Sequence, residues 1–180
     1  LFVQFKELSM SDPNTNLADV RRRAESGDAV AQCTLAFYYI EGRGVDKNPA
    51  EAAAWYQRAA EQQNAAAQYN LADLYLRGSG VKRDVERAIE LFTRAAENGD
   101  HDAAFCVGLI YDRADGVEQN LERAFYWYKL AAENGSARAQ YDLAVMYREG
   151  RGVEPSFELA RHWFSQAAQN GVARAQLELE

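Results

Sequence analysis

Apolar and small residues recur in this chain at helical spacing, and the whole pattern recurs every 36 residues. Between residues 29 and 41 they stand at Ala31, Leu35, Tyr38 and Tyr39, close to the i, i+4, i+7 spacing of one helix face. A second run, Ala52, Trp55, Tyr56 and Ala59, is spaced i, i+3, i+4, i+7 and predicts a second helix. Gly42-Arg43-Gly44-Val45 separates the two. Glycine suits a helix that ends in a left-handed residue, where a Cβ costs energy. The valine after it is expected to fold back against the core. One unit therefore reads as a helical hairpin.

The copies keep register. Tyr39, Tyr75, Tyr111 and Tyr147 are spaced by 36, as are Val45, Val81, Val117 and Val153. Ala52, Ala88, Ala124 and Ala160 follow suit, and Ala31, Ala67, Ala103, Ala139 and Ala175 extend the series to a fifth copy. No insertion breaks the spacing, so a tandem array is established before any other reading. Asn48, Asp84, Asn120 and Ser156 precede the second helices, and each side chain can accept a bond from a free N–H of the first turn, worth ~0.5–2 kcal/mol. Pro49 suits the first helical position and Glu51 completes a capping-box sequence. Trp55-Tyr56, Leu91-Phe92, Trp127-Tyr128 and Trp163-Phe164 set bulky pairs against alanines, which predicts close helix approach. Gly27, Gly99, Gly135 and Gly171 are placed to end second helices; Gln63 stands in that column, predicting a strained or shifted end with Asn64 as a substitute.

These positions divide the chain. Residues 1–11 form a lead-in with no period, and 12–27 read as a degenerate capping half-repeat, with Asp12-Pro13 in register with Asn48-Pro49. Residues 28–180 form the array: four full units to about residue 171, then a partial fifth. A broken last unit is the expectation for a natural protein that continues.

Composition narrows the function classes. Twenty Lys and Arg against twenty-seven Asp and Glu give a net charge of -7, which disfavours a general nucleic-acid binder that must neutralise phosphates. No stretch approaches the ~18 apolar residues of a membrane span. Cys33 and Cys106 fit neither a disulfide framework nor a metal-ligand spacing and read as small hydrophobes or partly exposed thiols. Leu1 in place of Met fits a trimmed or mature chain, so the compartment stays open.

The second copy shows the motif in full: Ala67, Leu71-Ala72, Tyr75, Gly78-Ser79-Gly80-Val81, Ala88, Leu91-Phe92, Ala95-Ala96 and Gly99. This resembles the Sel1-like repeat, a relative of the tetratricopeptide repeat that differs by the extra glycine turn. The resemblance covers about residues 28–180. It implies an all-α, right-handed α-solenoid of antiparallel helix pairs, with first helices lining the concave side. It further implies an adaptor or scaffold that recruits partners, and no single activity. A cysteine-rich bacterial branch is associated with penicillin binding and β-lactam hydrolysis, and its unit disulfides have no counterpart here. Ala114 replaces a turn glycine and Gly108 replaces a helix alanine at a cost of ~1 kcal/mol, making the third unit the softest on sequence grounds.

Little points to catalysis. His101 and His162 do not stand at i, i+4, so no zinc helix is formed, and both read as solvated. Gly42-Arg43-Gly44-Val45 follows a helix and lacks a trailing Lys-Ser/Thr, which excludes a phosphate loop. No cofactor motif is present. The aromatic columns follow the repeat register and read as packing; on that basis Tyr75→Ala is expected to cost ~3–5 kcal/mol.

Columns dictated by packing repeat, whereas columns facing solvent or a partner vary. On the first helices the variable columns read Val30, Thr34, Phe37, Glu41; Ala66, Asn70, Asp73, Arg77; Asp102, Cys106, Leu109, Arg113; and Arg138, Asp142, Val145, Glu149. Each set shares one helix face, so stacking is expected to merge them into an inner groove for an extended peptide or a partner helix. The candidate contact residues are Phe37, Glu41, Asn70, Asp73, Arg77, Leu109, Arg113, Arg138, Asp142 and Glu149. The leading expectation is a non-enzymatic module that binds a protein or peptide. The alternatives are an enzyme acting on a cell-wall or β-lactam-like molecule, for which no nucleophile-base pair is found, and a spacer that self-associates through an exposed end.

Overall fold

The computed structural model describes residues 16–179, and every regular element among them is an α-helix. The lead-in over residues 1–11 lies outside the described residues. A single helix, α1 (Leu17–Glu25), occupies the segment expected to hold the half-repeat. Four hairpins of 13-residue helices follow: α2 (Ala29–Glu41) with α3 (Pro49–Glu61), α4 (Ala65–Arg77) with α5 (Val85–Glu97), α6 (His101–Arg113) with α7 (Leu121–Glu133), and α8 (Ala137–Glu149) with α9 (Phe157–Gln169). A short α10 (Ala173–Leu177) opens the fifth copy. The chain divides into two compact units, one ending at Asp100 and the other beginning at His101.

Local chemistry sets the helix ends. Asn48 accepts from the N–H groups of Ala50 and Glu51 at 3.2 Å, and Asp84, Asn120 and Ser156 each accept from the third residue of their helix. Gly42, Gly78 and Gly150 end the first helices in the left-handed region, and Ala114 takes the same conformation at φ 55°. Gln63 adopts φ 62° itself, so the helix end is not shifted; Asn64 instead caps α4, accepting from Ala67 N–H at 2.9 Å. The second turn glycine is required by close approach. A Cβ on Gly80 would lie 2.2 Å from the Pro49 carbonyl carbon, and one on Gly152 would lie 2.3 Å from the Leu121 oxygen.

The core of each hairpin is one second-helix ring. Tyr56, Phe92, Tyr128 and Phe164 are fully buried, set among Ala52, Ala59 and their register mates. Tyr69 meets Phe92 edge-on at 5.3 Å, Phe105 meets Tyr128 at 5.6 Å and Tyr141 meets Phe164 at 5.5 Å. Cys33 stands in the corresponding column of α2 and is a buried free thiol, as is Cys106. Tyr39, Tyr75 and Tyr111 are only half-buried, whereas Tyr147 in the same column is buried, so the cost expected for Tyr75→Ala belongs to Phe92 instead.

Buried glutamines join successive hairpins. Gln68 Nε2 donates to the Ala60 carbonyl at 3.2 Å, and its Oε1 accepts from Asn98 at 2.9 Å. Gln140 does the same with Ala132 and Asn170, and Gln32 with Ala24 and Gln62. Each amide thereby adds a side-chain bond to a carbonyl at the end of the preceding helix, which also accepts from a turn N–H: Gly27 for Ala24, Gln63 for Ala60 and Gly135 for Ala132.

Candidate functional site

The variable columns of the first helices divide by burial. In the unit ending at Asp100, Glu41 and Arg77 are exposed at the ends of α2 and α4, whereas Phe37, Asn70 and Asp73 are buried. In the other unit Arg113, Arg138 and Glu149 are exposed, Asp142 is half-buried and Leu109 is buried. Five of the ten candidates are therefore positioned for direct contact. Phe37, Asn70, Asp73 and Leu109 lie beneath the surface, because a first helix packs over more than one face and carries these columns inward with it.

On α4 the structure brings three candidates together. Arg77 Nε donates to Asp73 Oδ1 at 2.8 Å, one helical turn apart. Asp73 is 1% exposed and its Oδ2 has no hydrogen-bond partner. Burial pushes this carboxyl up to about 6 in spite of the Arg77 charge and hydrogen bond. Desolvation wins here because the guanidinium is itself 38% exposed and its attraction is diluted by water. Facing this pair from α3, the Tyr56 hydroxyl is buried without a hydrogen bond of normal geometry, and burial pushes it well above the usual phenol range. Burial also pushes the Cys33 thiol up to about 12, with the Asn70 side chain opposing the shift. Phe37 lies under the Arg43 guanidinium at 5.1 Å.

A second polar group occupies α6, α7 and α8. Asp112 accepts from Tyr128 Oη at 3.2 Å and from Arg151 Nη2 at 2.5 Å. Burial, then the neighbouring Asp112, push the Asp142 carboxyl up to about 6, opposed by Arg113 and Arg151. Glu149 is paired with Arg148 at 3.1 Å. The candidate set omitted Tyr56, Tyr128, Asp112 and Arg151. A signal for the tyrosines was available: their column carries phenylalanine at positions 92 and 164, so the two hydroxyls are not needed for packing.

Chemically, both groups can present charge and accept or donate hydrogen bonds. Among the described residues no cluster of His, Cys, Asp and Glu is arranged to hold a metal ion, and His101 and His162 are exposed. No helix among the described residues is long and apolar enough to cross a membrane.

Tandem helical hairpins closed by a glycine turn and capped at the same column in each copy define a helical-repeat protein. The Sel1 repeat family model matches residues 29–64, 65–100, 101–136 and 137–172, and the chain belongs to this family. Such repeats serve in general as scaffolds for protein interaction. The chain is similar to a Sel1 repeat protein from Oxalobacter formigenes, with 38% identity and a TM-score of 0.83 over 91% of this chain and 66% of that one. It is also similar to c5321, a protective antigen of uropathogenic Escherichia coli with an SLR fold, with 36% identity and a TM-score of 0.88. That match covers 91% of this chain and 35% of the antigen, so the chain spans about two thirds of the first protein and about a third of the second. Helicobacter pylori cysteine-rich protein B shares the fold alone, at 15% identity and a TM-score of 0.53 over 92% of this chain and 98% of its own. No curated protein sequence matches.

Proposed function

We propose that this chain is a non-enzymatic interaction module that captures a peptide or protein partner on the variable-column faces of its first helices. The carrying observation is the contrast between columns. Packing positions keep residue type through every copy, whereas the exposed positions carry Glu41 and Arg77 in one unit and Arg113, Arg138 and Glu149 in the other. Side chains that the fold does not dictate, on rigid helices, suit specific recognition. In this reading Asn70, Asp73 and Asp142 act from beneath, setting the charge and orientation of the guanidiniums above them. Phe37 and Leu109 supply the apolar floor.

The test is capture from native extract by wild type and by an Arg77→Glu, Arg113→Glu double variant. The variant should lose its partners while keeping its helicity and melting temperature, since both residues are exposed. Recovery of the same partners at the same yield would remove these faces from the binding surface.

A further inference from the structure

Arg148 stands on α8 in a column that holds Ile40, Leu76 and Asp112 in the other hairpins. Ile40 and Leu76 are buried aliphatic residues, so the fold does not ask for a guanidinium in that column. The Arg148 Cζ lies 5.5 Å from the centre of the Phe164 ring, and the side chain keeps 34% of its surface in water. Tyr141, two turns earlier on the same helix, meets that ring edge-on. Phe164 thus braces both side chains.

A carboxylate already sits between their polar tips. Glu178, just past α10, accepts from Tyr141 Oη at 3.3 Å through Oε1 and from Arg148 Nη1 through Oε2. Arg148 Nη2 binds Glu149 Oε1 at 3.1 Å, so the Nη1 edge is the one given to Glu178. The segment that brings Glu178 is weakly anchored. α10 has five residues, no side-chain cap and Ala175 as its buried residue, and so short a helix has little stability of its own.

Further cations surround the pair. Arg138 in the first turn of α8 and Arg174 on α10 are exposed, and neither bonds a carboxylate among the described residues. The Arg174 charge reaches the Tyr141 hydroxyl. The acidic residues on this helix face are Asp142, whose charge is opposed by Arg113 and Arg151, and Glu149, already paired with Arg148.

We propose that Tyr141 and Arg148 form a carboxylate-binding site that Glu178 fills from within its own chain, and that an acidic segment of a partner displaces Glu178. One glutamate or aspartate of that segment takes the site, and others lie against Arg138 and Arg174. This rests on the reading of the first-helix faces as a partner surface and gives α8 its partner chemistry. Exchanging one carboxylate for another leaves the site balanced, so the partner's advantage lies in its additional carboxylates.

The test is an NMR titration of the full chain with hexaglutamate, N-acetylated and C-amidated so that its carboxylates are side-chain groups. The chain carries a net charge of -7, so general attraction works against this peptide and a local site must hold it. Hexaglutamate should shift the Arg148 Nε–Hε resonance and the amides around Tyr141. Glu178→Gln, at an exposed position, should bind it about fivefold more tightly than wild type, the worth of one ion pair near the surface. Adding Arg148→Gln to that variant should abolish the gain. Because Arg148 also covers Phe164, Tyr141→Phe is the second probe: it keeps the ring and should cost about threefold. Hexaglutamine should bind neither form. Equal hexaglutamate affinity for wild type and Glu178→Gln would overturn the proposal, as would shifts centred away from α8 and α10 or equal binding of hexaglutamine. The Arg77→Glu, Arg113→Glu double variant leaves Tyr141 and Arg148 untouched, so failure of the wider surface and failure of this site are read by different experiments.

Discussion

At the scale of single residues, the departures from the repeat are where energy is stored. The Asp73 carboxyl titrates near 6 in the folded chain and near the ordinary 3.8 when unfolded. The folded state therefore binds the extra proton between those values, and stability falls as pH rises through that window. Raising the carboxyl this far costs the folded chain about 3 kcal/mol at most at neutral pH, with the bond to Arg77 already included. Asp73→Asn and Asp73→Leu should accordingly raise stability by about 1–3 kcal/mol at pH 7 and by nothing near pH 4, read by urea unfolding at each pH. Gly108 is the opposite case. Sequence propensity predicts that alanine would gain ~1 kcal/mol in this helix. A Cβ there would sit 2.6 Å from Tyr128 Cδ1, and that ring is held by Asp112 and by Phe105. Overpacking of this kind costs ~1–3 kcal/mol, so Gly108→Ala should lower the melting temperature instead of raising it. The glycine that marked the third unit as soft is a packing requirement of the tyrosine, a fact invisible until the two helices are brought together.

Helix ends and turns are the elements most legible in the chain, because each depends on a few neighbouring atoms. Asn48, Asp84, Asn120 and Ser156 cap their helices as their side chains require. Gln63 is the exception that shows the limit: exposed, and with its N–H bonded to the Ala60 carbonyl at 3.0 Å, it takes the left-handed conformation without a glycine, and the next helix still starts in register. Between elements, the buried glutamines carry more than their propensity suggests. Removing the Gln140 amide takes one bond from the Ala132 carbonyl, which still accepts from Gly135 N–H at 3.0 Å, and removes the bond to the Asn170 side chain. Gln140→Ala should cost about 1–3 kcal/mol, more than an exposed Gln169→Ala, in chemical unfolding. Ala104 occupies this column in the third copy, and there Asn134 donates to the Leu130 carbonyl of its own helix at 2.8 Å. The same side chain finds a local acceptor when the glutamine is missing.

Across the whole molecule, the repeat architecture predicts graded rather than uniform stability, since each hairpin leans chiefly on its neighbours. Gly108→Ala should speed amide exchange in α6 and α7 more than in α2 and α3, read by hydrogen exchange with mass spectrometry. Equal acceleration everywhere would mean that the chain opens as one cooperative body. The candidate surface was legible only in part. Arg77, Arg113 and Glu149 share one variable column and stand exposed, whereas Asn70 and Asp73 stand in two other variable columns and are buried. The amino-acid sequence by itself determined the 36-residue period, the hairpins, their caps and their glycine turns, because these follow from spacing and from contacts within a few residues. Only the tertiary structure decided which variable residues meet solvent, which carboxylate lies desolvated beside the Arg77 guanidinium, and why residue 108 lacks room for a side chain. Burial and close approach are properties of surfaces meeting across helices, and residues distant in the chain set them together.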